Sequence, residues 1–97
     1  MQATRTGSNE ITITGNIKTT EDYLQIRQLV MELVSQGQSA LVLNIRESLS
    51  MPSSVIGFFV KLVHRDKVKV AMHVQDNRLL ELLQELSLVE LFGARLS

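Results

Sequence analysis

Four serines, Ser48, Ser50, Ser53 and Ser54, crowd the stretch "SLSMPSSVIGFF" just before a run of bulky apolar residues. Hydroxyls in such a place do one of two things. They cap orphan amides at a helix start, worth about 1 kcal/mol, or they receive a phosphoryl group from another protein. Pro52 restricts Met51 to extended geometry and is well suited to the first helical position. Ser53 and Ser54 then occupy the first turn, or Ser53 itself caps it. A phosphate there is favoured by the helix dipole, so modification need not unfold the chain. Spacing alone leaves cap and switch evenly balanced.

The other reactive groups make poor catalytic material. His64 falls at a helix end, in "VHRDK", where the dipole favours a cation, and His73 falls inside a strand pattern. The chain has no cysteine, and the histidine spacings of metal sites are absent, so no metal site is expected. Glu21 and Asp22 suit the first turn of a helix, and Glu81, Glu85 and Glu90 look like a solvated face. No glycine-rich phosphate loop or nucleophile elbow occurs, so neither an enzyme nor a cofactor is expected. Lys61, Arg65, Lys67 and Lys69 straddle a helix end and a strand start without aromatic platforms. They read as a solvated helix end and not as a nucleic-acid surface.

The elements that hold these residues follow from hydrophobic period. "MQATRT" and "EITITGNI" flank the turn residues Gly7 to Asn9, and Ile11 and Ile13 alternate with threonines, which predicts an opening hairpin. Thr19 and Asp22 have capping-box spacing. Tyr23, Ile26, Leu29/Val30 and Leu33/Val34 then share a helical face that ends at Gly37. The run "ALVLNI" (40–45) suits a strand buried on both faces. Val55, Phe58/Phe59 and Leu62/Val63 return to helical spacing, and 67–74 alternates as a strand. Asp76 or Asn77 caps a helix with Leu79, Leu82/Leu83 and Leu86 on one face, and "VELF" (89–92) suits a last short strand. The order β-β-α-β-α-β-α-(β) implies an α/β fold: a mostly parallel or mixed sheet with helices packed against it.

The totals agree with one domain over 1–97, since 97 residues fit a single core. The chain is 44% apolar and 21% charged, with one proline, which is globular usage. Ten Lys plus Arg balance ten Asp plus Glu, so no global charge draws it to nucleic acid or anionic membrane. The polar start "MQATRTGSNE" lacks the apolar core of a signal peptide, and no apolar run approaches the ~20 residues of a membrane span. A cytoplasmic protein is the expectation.

The middle of the chain, "ALVLNIRESLSMPSSVIGFFVKLVHRDKVKVAMHV", resembles the STAS domain, the family of anti-sigma-factor antagonists and sulphate-transporter C-terminal domains. The family pattern V-L-D-L-S-x-V-x-x-I-D-S-S-G-L lies on residues 42–56 without a gap. "NRLLELLQELSLVELF" resembles the later V-x-x-L-L-x-x-S-G-L-x-x-L-F. The resemblance spans nearly the whole chain, with a short N-terminal hairpin, and stops before the family's last helix. It implies a STAS-like sandwich and a regulatory switch. The unphosphorylated domain would dock a serine kinase that acts as an anti-sigma factor, phosphorylation would break the complex, and a PP2C-type phosphatase would reverse it. By position the phosphoacceptor falls on Ser54, with Ser53 beside it, and the docking surface on Ser50, Met51, Pro52, Ser53, Ser54, Val55 and Phe58. This sequence departs from the pattern at four framing positions. Pro52 and Asn44 replace aspartates, and Val55 and Ser87 replace glycines.

Other readings use the same region. A small-ligand or nucleotide sensor would use the crevice at the strand ends. A constitutive scaffold would dock without phosphorylation. A homodimer or larger assembly would explain why "VIGFFVKLV" carries more apolar positions than one buried stripe needs.

Overall fold

Thr19 and Asp22 close the capping box that their spacing predicts. Thr19 Oγ1 accepts the Asp22 N–H at 3.0 Å, and Asp22 Oδ2 accepts the Thr19 N–H at 3.2 Å. The same carboxylate takes the Lys18 N–H at 2.9 Å, so donors that helix geometry leaves orphaned are satisfied. The helix launched there, α1 (Thr20–Ser35), buries Ile26, Val30 and Leu33. Gly37 ends it with a φ of 93°, a left-handed turn that glycine adopts without strain.

A computed structural model describes residues 1–97. It shows one α/β domain with a mixed five-stranded sheet and three helices. The strands are β1 (Gln2–Arg5), β2 (Glu10–Thr14), β3 (Ala40–Arg46), β4 (Lys69–Val74) and β5 (Arg95–Leu96). The remaining helices are α2 (Ser53–His64) and α3 (Asn77–Glu85). The hairpin β1–β2 is antiparallel and every other pair is parallel.

The sheet order is β1-β2-β3-β4-β5, the order of the chain itself. Right-handed crossovers that all step in one direction must stack their helices on one face. Burial agrees. Ile11, Leu43 and Met72 lie in one buried row across β2, β3 and β4, and Ile13, Ile45 and Val74 lie in the next. Val55, Phe59 and Leu62 of α2 join these rows, with Leu79 and Leu83 of α3, in a single apolar cluster. Phe59 and Phe92 meet edge to face at 6.0 Å in its middle.

Four details depart from the sequence-based expectations. β3 is buried on one face only: Leu41, Leu43 and Ile45 are enclosed, whereas Val42 and Asn44 between them are half-exposed. A sheet whose helices all lie on one side has no second cover to give it. The last strand is Arg95–Leu96 and not 89–92. In that earlier segment Phe92 N–H bonds Leu88 O at 3.0 Å and Ala94 N–H bonds Val89 O at 2.8 Å, a turn that drives Phe92 into the core. Leu86 is the C-cap of α3 and is 48% exposed, because the helix ends before it can face inward. Pro52 is the N-cap of α2 and not its first helical residue, so no serine caps that helix.

Candidate functional site

The loop from β3 to α2 is held down by its first serine. Ser48 is 1% exposed, and its hydroxyl donates to Gly15 O at 2.6 Å, with Arg46 O as a longer alternative acceptor at 3.4 Å. Leu49 N–H bonds Asn16 Oδ1 at 3.0 Å. These bonds tie the loop to the connection that follows β2. Met51 then plugs into the core at 4% exposure. Ser48 and Met51 are anchors, and the chain between Pro52 and Ser54 is presented from a fixed base.

Ser53 and Ser54 occupy the exposed first turn of α2. Pro52 supplies no side-chain cap, and the Val55 and Ile56 N–H groups turn back to Pro52 O at 3.0 Å each. The amides ahead of them keep no side-chain partner, and both serine hydroxyls face solvent. Ser50 is exposed as well. Val55 is fully buried, so its side chain, like that of Met51, offers nothing to a docking partner. Phe58 is half-buried and receives Tyr23 edge to face, with centroids 6.1 Å apart.

Ser53, Ser54 and Phe58 also line a groove of about 660 Å³ between α1 and α2, together with Gly57, Lys61, Arg65 and Asp66. Tyr23, Arg27 and Met31 form its opposite wall. Positions 54, 58 and 61 make one stripe of α2 that Arg65 continues at its C-cap, and 23, 27 and 31 make one stripe of α1, at the period of a helix face. The one ion pair of the protein is Arg78–Asp76, at 2.9 Å on α3. Arg27, Lys61 and Arg65 are thus unpaired cations in a groove with one carboxylate. Sequence reasoning found Ser53, Ser54 and Phe58 of this groove but read Lys61 and Arg65 as a solvated helix end, and it missed the α1 side, since nothing in the spacing of Arg27 announces a partner on another helix.

The uncovered face of the sheet carries a polar row. Thr4, Thr12, Asn44, His73 and Arg95 stand in register across all five strands. Asn44 Nδ2 donates to Glu10 Oε2 at 3.0 Å and to Thr12 Oγ1 at 3.3 Å. Thr6 Oγ1 donates to Glu10 Oε1 at 3.0 Å. The bonds from Asn44, then Thr6, hold the Glu10 carboxyl below its usual range. This row was legible only as alternation and not as a site.

The chain matches no known protein family, no characterised protein and no solved structure. No group of three or more His, Asp or Glu side chains converges as a metal site would need, and no helix is long and apolar enough to cross a membrane.

Proposed function

We propose that this protein is a cytoplasmic, non-enzymatic regulatory domain of the STAS-like, anti-sigma-factor-antagonist kind. It docks a kinase-like anti-sigma factor or a PP2C-type phosphatase through the β3–α2 loop and the outer face of α2, and phosphorylation of Ser54 or Ser53 releases the partner. One observation carries the reading: two exposed, unbonded serines sit on the uncapped first turn of α2, on a loop anchored by Ser48 and Met51. A kinase needs an accessible hydroxyl, and a surface already held in place costs less ordering entropy when a partner docks. Backbone at Ser87 adds support, since its φ of 58° is left-handed at the position where the family pattern has glycine.

The small-ligand alternative has less behind it. Strand order runs without reversal, so the sheet lacks the switch point at which such crevices form. The test captures partners from source cells with the wild-type chain and with Ser54→Asp, then maps phosphate on the bait by mass spectrometry. Phosphate on Ser53 or Ser54, with kinase or phosphatase capture lost in Ser54→Asp, supports the switch. Unmodified serines together with unchanged capture would remove it.

A further inference from the structure

The α1–α2 groove holds more than the two serines require. Three of its side chains, Arg27, Lys61 and Arg65, are cations without a carboxylate partner, against the single Asp66. Three positive charges less one negative leave the groove at +2. Such a concentration stands out on a chain whose Lys plus Arg and Asp plus Glu both number ten.

Gly57 is the second, independent observation. It sits mid-helix in α2 with ordinary helical backbone, where glycine costs about 1 kcal/mol relative to alanine. A Cβ added there would meet nothing within 4 Å, so no contact inside this chain calls for glycine. It leaves bare helix backbone on the groove floor, open to close approach from outside. Met31 lines the groove, and exposed apolar surface continues from it along α1 to Leu24. Leu24 and Met31, seven residues apart on α1 and so on one helical face, are 51% and 40% exposed.

We propose that this groove receives an acidic amphipathic helix of the protein partner. Its carboxylates pair with Arg27, Lys61 and Arg65, and its apolar side chains lie over Gly57 between Met31 and Phe58. The α2 stripe from Ser54 to Arg65 runs about 16 Å at 1.5 Å per residue, room for about three turns. Arginines at two of the three positions suit carboxylates, which they bind through a planar fork. The inference rests on the docking reading above and gives it a mechanism for release. A phosphate on Ser54 would add a charge of about −1.5 to −2 to a groove at +2, cancelling the field that attracts the acidic helix.

The test needs no kinase. The full chain is titrated by fluorescence anisotropy with helix-stabilised peptides of about three turns, patterned Glu/Leu, and with their Lys/Leu sign inversions. Acidic peptides should bind about tenfold or more tighter than the inverted set. Arg27→Glu with Lys61→Glu should reverse that preference. Gly57→Leu should abolish binding while circular dichroism stays native, since the added side chain points into open space. Equal affinity for both signs, or binding that survives in Gly57→Leu, overturns the proposal. So does inorganic pyrophosphate shifting the Ser54 and Gly57 amide resonances while both peptide sets are ignored, which would make this a small-anion site. Self-association of the free chain that Gly57→Leu abolishes would likewise overturn it and assign the groove to a second copy. Phosphorylation of Ser54 with no peptide preference would sink this inference alone, whereas peptide preference without phosphate would sink only the switch.

Discussion

Gly57→Ala is expected to make the protein more stable, and the structure sets the size of the gain. The residue lies inside α2, its φ is not positive, and a new Cβ would find nothing within 4 Å. With no steric cost, the change should return the helix-propensity difference between glycine and alanine, about 0.8–1 kcal/mol, part of it by restricting the unfolded chain. For a domain of this size that raises the melting temperature by about 4–8 °C. Two other glycines supply the scale. Gly37 has a φ of 93° and an equally empty surround, so Gly37→Ala should lose only the left-handed backbone cost of about 1–2 kcal/mol. Gly93 has a φ of 55° and its Cβ would stand 2.7 Å from Val70 O. Neither side of that contact yields easily, because Val70 lies in β4 and the Gly93 and Phe92 carbonyls both accept from Met72 N–H, at 3.2 and 3.1 Å. Gly93→Ala should therefore lose about 2–5 kcal/mol, backbone strain and overpacking together. Urea denaturation of the three variants, with midpoints compared at constant m, measures the series. A neutral or destabilised Gly57→Ala, or a Gly93→Ala no worse than Gly37→Ala, would refute the reasoning.

Two further outcomes follow from single sites and a third from three carboxyls together. Ser48→Ala removes the buried donor to Gly15 O and should cost about 1–2 kcal/mol, read as a lower urea midpoint; an unchanged midpoint would mean the loop is not anchored there. Ser87→Gly relieves a left-handed serine and should stabilise by about 1 kcal/mol in the same assay, the opposite of an ordinary glycine substitution. The carboxyls of Glu10, Asp22 and Asp76 lie below their ordinary values of 4.5, 3.8 and 3.8, held down chiefly by Asn44, by the Lys18 N–H and by Arg78 respectively. Each folded-state pKa is below the unfolded one, so the stabilisation is complete above those ordinary values and is lost as pH falls through the lowered ones. Urea midpoints should hold steady down to about pH 5 and decline towards about pH 3; a flat or rising profile would contradict the assigned bonds.

What could be read in advance was local. The Thr19–Asp22 box, the Gly37 terminus and the helical stripes of α1 and α2 depend on neighbours within a few residues and formed as spaced, and the α3 stripe formed except at Leu86. Two errors were local, the Pro52 cap of α2 and the end of α3 at Leu86, and the other two arose where a distant surface decides. "ALVLNI" has the hydropathy of a doubly covered strand, yet the single-direction crossovers cover only Leu41, Leu43 and Ile45. Val89 to Phe92 can be read at period two, but Leu88, Leu91 and Phe92 also recur at helical spacing, and the pull of Phe92 on Phe59 favours the turn. The candidate site divides in the same way. Its serines were visible in one stretch of sequence, whereas Arg27 reaches it only because consecutive crossovers set α1 beside α2.

The same topology bears on why the proposed docking should use the helices and not the bare side of the sheet. Both surfaces are open and both carry basic side chains without a partner, His73 and Arg95 on the sheet among them, but the carboxylate and amide of the sheet row are already bonded within the chain. On the sheet face the carboxylate of Glu10 is bonded to Asn44 and Thr6, and Asn44 reaches Thr12 as well. A partner there would have to break bonds that the chain makes for itself, and polar groups left imperfectly paired subtract from affinity. In the helix groove Arg27, Lys61 and Arg65 have no partner in the chain, and Gly57 leaves the floor clear. An incoming carboxylate there gains charge-assisted bonds and displaces only water. Asn44→Asp would therefore strain the sheet by setting a second carboxylate against Glu10, most at neutral pH. It should leave unchanged the preference for acidic peptides that is proposed for the groove. A loss of that preference in Asn44→Asp would show that the two surfaces are not independent.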